Sequence, residues 1–299
     1  MKRALKWIGI GLIVILIGLA VYGIAIEPRL WLDERHYRAE LTTVPTELAG
    51  TRIAVFSDLQ VGMWWANTGM VERVVERVVE VAPDAVLLAG DFVYSTAPDP
   101  PAQIDHVVDL LQPLFDRDIA TFAVMGNHDH AVGAVDLLVE RLEAEGVQVL
   151  RNDAARLSLD GADLWVVGIG SHRYGNSRPE LAFDDVPPDA PRMVVMHNPA
   201  SFPEIGAQRA PLAVAGHTHC GQIALPGTPT WSYMQLRAQE RVVVDGFAPP
   251  AYGSEGNRLF VNCGIGFSLV PVRINAPPQL VFFELAAGVA QQPSFSRSQ

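Results

Sequence analysis

The chain has 299 residues, with 22 Lys and Arg against 33 Asp and Glu, a formal net charge of −11 and 49% hydrophobic residues. A chain this apolar is not intrinsically disordered, and a balance this acidic argues against a general nucleic-acid footprint, which takes Lys and Arg. Two cysteines are too few for a disulfide scaffold or a thiolate zinc cluster.

The first element is apolar. Lys2, Arg3 and Lys6 precede a run from Trp7 to Ile26 without a charged residue, and Glu27, Pro28 and Arg29 close it. About 20 residues at 1.5 Å each span the roughly 30 Å hydrocarbon core of a bilayer. A cleaved signal peptide is the alternative, with an apolar region of about 7–15 residues. The best cleavage candidate, Gly23-Ile24-Ala25, lies at the very end of this longer run. The positive-inside rule holds the basic residues in the cytoplasm and places the rest outside. The expected order is a basic segment at 1–6, a transmembrane anchor at 7–26 and a linker at 27–44. A globular domain at 45–286 and a flexible tail at 287–299 follow. Trp31 and Tyr37 are either interfacial or ordinary packing residues.

From Thr51 strands and helices alternate. Arg52–Phe56 is a β-prone run that stops at Ser57-Asp58. Val71, Val74, Val75, Val78 and Val79 recur at helical spacing, with Glu72, Arg73, Glu76, Arg77 and Glu80 on the other face. Ala85–Ala89 is a second strand, ending at Gly90-Asp91, and Ile104, Val107, Val108, Leu111 and Leu114 trace a second helix. Ala120–Met125 runs to Gly126-Asn127, and Leu137, Leu138, Val139 and Leu142 mark a third helix. This β-α-β-α-β order predicts a parallel sheet with right-handed crossovers. Beyond it strands dominate: Val147–Leu150, Leu157–Leu159 and Leu164–Ile169, with a turn at Asp160-Gly161. Met193–Met196, Leu212–Ala215, Arg241–Val244, Leu259–Asn262 and Leu280–Phe283 follow. Such crowding predicts an α/β domain of two packed sheets with helices outside.

Open α/β sheets bind ligands at the carboxyl ends of their strands. The residues that fall there are Asp58, Gln60, Asp91, Asn127, His128, His197, His217 and His219. The spacings of 33 residues from Asp58 to Asp91 and 36 from Asp91 to Asn127 each fit one crossover of roughly 30 or more residues. These three therefore lie side by side on one edge. Two carboxylates, two amide carbonyls and at least three imidazoles suit a pair of divalent metals such as Mn²⁺, Fe or Zn²⁺.

In that order, Ser57-Asp58-Leu59-Gln60, Gly90-Asp91, Gly126-Asn127-His128-Asp129, Met196-His197-Asn198-Pro199 and Gly216-His217-Thr218-His219 resemble the motifs of the calcineurin-like metallophosphoesterases. The stretch Asn262-Cys263-Gly264-Ile265-Gly266, with Pro271-Val272-Arg273 and Ala276-Pro277-Pro278, resembles the membrane-associated bacterial phosphodiesterase branch of that superfamily. The resemblance implies a four-layer α/β/β/α sandwich of two mixed sheets, here with an N-terminal transmembrane helix. It implies two divalent metal ions, Mn²⁺ first, with Fe, Zn²⁺ or Mg²⁺ as alternatives. It implies that Asp91 bridges them, that Asp58, Gln60 and His219 complete one site, and that Asn127, His197 and His217 complete the other. Catalysis would fall to Asp91 and to His128, the latter beside the leaving group as general acid or hydrogen-bond donor. Paired metals of this kind lower the pKa of a bridging water, and the hydroxide attacks phosphorus in line.

Two positions depart from the family pattern. Gln60 stands where His is usual, and its carbonyl oxygen, a harder ligand, favours Mn²⁺ or Mg²⁺. Tyr94 stands where the family often has Asp, three residues after the bridging carboxylate. His130, after the Asn-His-Asp turn, and His172-Arg173, in a Gly-rich loop, are candidate substrate contacts. His36 and His106 read as ordinary residues, and Arg273 as a structural support. Cys220 and Cys263 either pair, if the domain is exported, or stay small buried residues. Trp64-Trp65 is either core or an apolar lip suited to a lipid substrate.

The expected protein is a single-pass protein of a bacterial inner or cell membrane with its catalytic domain outside. It hydrolyses a phosphodiester or pyrophosphate bond, of a lipid or nucleotide-linked lipid, by metal-activated hydroxide attack. The alternative, motivated by Gln60, is a metal-poor, non-catalytic scaffold or regulatory module on the same fold.

Overall fold

The computed structural model describes residues 2–41, 43–159, 161–225, 228–232, 243–288 and 293–297. Helix α1 (Lys2–Val21) has no buried residue. A π-helical turn, Tyr22–Ile26, carries it into α2 (Glu27–Leu30), and β1 (Asp33–Leu41) follows. Next come β2 (Arg52–Phe56), α3 (Thr68–Val81), β3 (Ala85–Leu88), α4 (Pro100–Phe115) and β4 (Ala120–Ala123). Then α5 (Asn127–Ala131), α6 (Val135–Ala144) and β5 (Gln148–Val149) complete the first half. The second half holds β6 (Asp153–Leu159), β7 (Ala162–Ile169), α7 (Pro179–Ala182), β8 (Arg192–Met196), β9 (Ala213–Ala215) and β10 (Ala224–Leu225). It ends with β11 (Thr228–Ser232), β12 (Gly246–Phe247), β13 (Leu259–Val261), β14 (Gln279–Ala287) and β15 (Ser294–Arg297).

Two mixed sheets face each other among the described residues, in the orders β15-β1-β14-β2-β3-β4-β5 and β12-β13-β9-β8-β7-β6. Ile53, Val55, Leu87 and Phe122 of the first sheet meet Leu164, Val166, Val195 and Phe260 of the second in a shared core. The outer face of the first sheet is covered through Val71, Val75, Ile104, Leu111 and Leu138 of α3, α4 and α6. On α3 the periodicity predicts the burial: Val71, Val74, Val75 and Val78 are all buried, each worth roughly 1.5–3 kcal/mol. The second sheet carries a thinner outer layer around Phe183, Phe202 and Ile205. That layer includes four-residue α7 and the 3₁₀ turn Pro199–Glu204.

Two segments differ from the expected order. Residues 27–44 are not a linker: β1 lies inside the first sheet, parallel to β14 from Asp33↔Gln279 to Leu41↔Ala287. Its sequence, DERHYRAEL, conceals this, because its charges are paired rather than solvated. Arg35 reaches both carboxylate oxygens of Asp245 at 2.8 and 2.9 Å. Arg77 of α3 grips both oxygens of Glu34 at 2.8 and 3.0 Å. Tyr37 packs against Phe247, Phe260 and Phe283, which settles it as a packing residue. The second difference is in the tail, where residues 294–297 form β15, antiparallel to β1. Phe295 anchors it on Phe247, with 4.4 Å between ring centroids; one aromatic among polar residues gives no strand pattern. The strand expected at 241–244 falls half outside the described residues, and Val243 and Val244 are not in a strand. Asp160 of the expected turn also lies outside them, although β6 and β7 pair antiparallel on either side.

Candidate metal centre

Asp58 follows β2, Asp91 follows β3, Asn127 follows β4, His197 follows β8 and His217 follows β9, so each leaves the carboxyl end of a strand. Five of the expected ligands hold a left-handed backbone: Asp58 (φ 56°), Gln60 (54°), Asp91 (59°), His217 (76°) and His219 (48°). Non-glycine residues seldom adopt this conformation, and a cluster of them marks a place where the fold overrides local preference. The loops hold each other in this state. Asp58 N–H donates to the Gly90 carbonyl at 2.8 Å, and Gln60 N–H to the Asp91 carbonyl at 3.0 Å. Packing leaves no room for larger residues: a Cβ on Gly126 would strike Asp91 Oδ1, and one on Gly216 would lie 2.6 Å from Asp58 Oδ2.

Asp91 is central. Its Oδ1 accepts from His128 N–H at 2.7 Å. Its Oδ2 lies 3.2 Å from His197 Nε2 and accepts from Gln60 Nε2 at 3.0 Å. His217 Nδ1 lies 3.2 Å from His197 Nε2, and Asp91, His197 and His217 bring their ligand atoms within 4.8 Å of one another. His197 Nδ1 lies 2.8 Å from the Ala89 carbonyl. A carbonyl only accepts, so Nδ1 carries the hydrogen and Nε2 faces the centre. Asn127 Oδ1 accepts from Asn198 Nδ2 at 3.2 Å, and Ser171 donates to Asn198 Oδ1 at 3.0 Å.

On the other side, Asp58 Oδ2 accepts from His217 N–H at 3.0 Å and from the Ser57 hydroxyl. Its Oδ1 lies 3.3 Å from His219 Nε2 yet makes no hydrogen bond, and neither does Gln60 Oε1. Both residues are fully buried. Two buried acceptors without donors, beside an imidazole nitrogen, form a seat that a divalent cation completes. The residues present therefore fit a metal pair.

The electrostatics agree. Burial, opposed by His197 and reinforced by the Asp91 charge, pushes Asp58 up to about 6. Burial acts the same way on Asp91, but the charges of His197, His128 and His217 outweigh it and hold Asp91 well below the carboxylate range. Burial opposes a charge on His197, yet Asp91 outweighs it and raises His197 to about 9. A cation held here would take the place of that proton.

His128 Nδ1 accepts the Ser95 N–H at 3.1 Å, so the neutral ring carries its hydrogen on Nε2, 4.0 Å from Asp91 Oδ2. Burial, with the charges of His197 and Arg173, holds His128 below its usual value. Tyr94 stacks on this ring at 4.9 Å. The loop that carries Asp91 is braced by Asp129, the last residue of its motif and one with no role among the expected ligands. Its carboxylate accepts the N–H groups of Asp91, Phe92, Val93 and Gly126 at 2.8–3.0 Å. Its signal was its place as the last residue of Gly126-Asn127-His128-Asp129. Arg173 lines the mouth with Asp91, Tyr94, His128 and Leu269. His130 stacks on Tyr174 at 5.1 Å and lines a neighbouring cavity. His172 faces Glu204 at 3.4 Å. Cys220 and Cys263 form a disulfide. Trp64 and Trp65 are 59% and 64% exposed, so they are not core.

Paired mixed sheets with carboxylates, amides and imidazoles gathered at their strand ends define a metallophosphoesterase. Residues 51–221 match the calcineurin-like phosphoesterases, and the chain belongs to this family of metal-dependent phosphoric ester hydrolases. The phosphodiesterase YaeI of Escherichia coli (strain K12) is 31% identical over 211 residues, covering 69% of this chain and 72% of that protein. The uncharacterized metallophosphoesterase YkuE of Bacillus subtilis is 25% identical over 272 residues, covering 88% and 89%. The UDP-2,3-diacylglucosamine pyrophosphatase LpxG of Chlamydia trachomatis serovar D is 23% identical over 287 residues, covering 78% and 83%.

Proposed function

We propose that the chain is a membrane-anchored phosphoesterase that hydrolyses a phosphodiester or pyrophosphate bond of a lipid-linked substrate with two divalent cations. The observation that carries this reading is the pair of unpartnered acceptors, Asp58 Oδ1 and Gln60 Oε1, beside the convergent Asp91, His197 and His217. Asp91 would be shared by both cations; Asp58, Gln60 and His219 would hold one in an oxygen-rich site suited to Mn²⁺, and Asn127, His197 and His217 would hold the other. When bound, the cations supply a nucleophile at neutral pH and positive charge for the phosphoryl oxygens. The protein positions the rest. His128, its tautomer fixed by Ser95, offers a hydrogen bond from Nε2–H to the leaving oxygen. Arg173 meets the anionic substrate at the mouth, and His130 and His172 remain candidate contacts beyond it.

Lys2–Leu30 is long and apolar enough to cross a membrane. Lys2, Arg3 and Lys6 favour a cytoplasmic N-terminus, and a disulfide suits an oxidising exterior. The domain therefore lies outside a bacterial inner or cell membrane. The name of the relative LpxG, a diacylglucosamine pyrophosphatase, supports a lipid-linked phosphoester.

The test is hydrolysis of bis(p-nitrophenyl) phosphate by the full-length protein with Mn²⁺. Asp91→Asn and His217→Ala should each lower kcat by at least about a hundredfold. Undiminished turnover in both variants would overturn the enzyme reading, and a protein that retains no metal would favour a scaffold.

A further inference from the structure

We propose that Trp64, Trp65 and Leu269, continuous with Leu30 and Trp31, form a lip that rests in the headgroup layer of the bilayer entered by α1. The lip holds the mouth of the metal centre at the membrane surface. The proposal rests on the membrane-anchored reading above and adds where the substrate enters.

The helix meets the domain at Gly23. Arg273 N–H donates to the Gly23 carbonyl at 2.8 Å, and a Cβ on Gly23 would lie 2.9 Å from Val272 and 2.7 Å from Ile274. Leu269 lines the mouth of the metal centre together with His128, His217 and His219. Only three Cα steps separate Leu269 from Val272, a reach of at most about 11 Å. The mouth therefore opens close to the point where the apolar helix docks.

A second set of contacts reaches the same surface. Arg29 of α2 donates to the Trp65 carbonyl at 3.0 Å, and its guanidinium lies 5.7 Å over the ring of Phe267, two residues before Leu269. The indoles, α2 and the mouth are thus one continuous face. That face is apolar: Leu30 is 60% exposed, Trp31 52% and Leu269 52%, alongside the two exposed indoles. Patches of this kind mark interaction sites, and indole rings favour the interface between membrane and water. Tyr22, in the π-helical turn, packs edge to face on Trp31 at 5.6 Å and adds one more ring to this face. The occupant is the bilayer, because α1 brings this face to it through α2, which packs on the domain. Asn67 Nδ2 donates to the Pro28 carbonyl at 2.8 Å, and Glu27 is buried. The substrate class that fits is a membrane-resident ester whose phosphoryl group sits at headgroup depth. It reaches the mouth by lateral diffusion, with its acyl chains still in the bilayer.

The test reconstitutes the full chain in phosphatidylcholine–phosphatidylglycerol vesicles, with and without acyl chains brominated near the headgroup. The tryptophan emission of the wild type minus that of Trp64→Phe/Trp65→Phe isolates these two indoles; each single substitution serves if the double variant does not fold. The difference emission should fall about twofold or more on brominated bilayers, as expected for interfacial rings. Equal difference emission in both bilayers, with the protein floating with the vesicles, overturns the lip and leaves the anchor intact. A protein that does not float with the vesicles overturns the anchor and the lip together. Neither readout depends on turnover, so a failed activity assay is a separate result.

Discussion

Nη2 of Arg273 lies 3.2 Å from Nδ1 of His219. A guanidinium only donates, so this contact braces the ring from its Nδ1 side. The other donors of this fully buried arginine go to the carbonyls of Gly266, Ala276 and Cys263. Burial and the Arg273 charge hold His219 well below its usual value, so the ring is neutral. Arg273→Gln leaves buried carbonyls short of donors, at a cost of about 3 kcal/mol or more. The Tm should drop, and calorimetric Mn²⁺ affinity should weaken by roughly tenfold or more. A lower Tm with unchanged affinity would make Arg273 a packing residue only.

Gln60 turns its amide nitrogen to Asp91 Oδ2 and leaves Oε1 without a partner. Gln60→Leu removes that oxygen at nearly the same volume. Elemental analysis of the purified variant should show fewer cations per chain than the wild type. Gln60→His should restore the full complement and shift preference from Mn²⁺ toward Zn²⁺. Unchanged stoichiometry in Gln60→Leu would remove the amide from the ligand set.

The apolar N-terminal helix cannot be cut away at the end of the expected linker. A chain beginning at Val44 lacks β1, which sits between β14 and β15. It also lacks Glu27, whose carboxylate accepts the N–H groups of Asn275 and Ala276 at 2.8 and 2.7 Å. That fragment should aggregate, because β14 becomes an open apolar edge. A chain beginning at Glu27 should be soluble and melt cooperatively. Size-exclusion chromatography and calorimetry on the two fragments decide this, and a well-folded shorter fragment would show β1 to be dispensable.

Glu34 gives the β1–α3 contact a pH signature. Its hydrogen bonds from Arg77, aided by His36 and opposed by burial, hold it below the ordinary 4.5. A carboxylate depressed in the folded state adds stability that is complete above its unfolded pKa and fades as pH falls through the lower, folded value. Both side chains are partly exposed, so the contribution is about 1 kcal/mol or less. Glu34→Gln should lower the Tm at pH 7, and the two melting curves should converge as pH falls below the ordinary 4.5. A gap that stays constant with pH would show that the pair contributes nothing electrostatic.

What the sequence reveals depends on where each residue's partners lie. The valines of α3 and the strands that end at Asp58, Asp91 and Asn127 are readable because their signals are local: apolar period, then Gly or Asp at the turn. The placement of Asp58, Asp91 and Asn127 on one edge is readable because the β-α-β spacing brings them there. Asp129 is hidden because its four partners are backbone N–H groups, which carry no side-chain identity. β1 is hidden because Asp245, Arg77 and β14, which neutralise and cover it, are distant in the chain.

That distance sets a timetable for synthesis. Gln279, which pairs with Asp33, comes 246 residues later. At about 5–20 residues per second, it leaves the ribosome roughly 12–50 s after β1. For that interval β1 is an unpaired strand just behind the apolar helix α1. Asp33, Glu34, Arg35, Arg38 and Glu40 keep it hydrated and unattractive to other nascent strands. The charges that disguise the strand in the sequence are the ones that protect it while it waits.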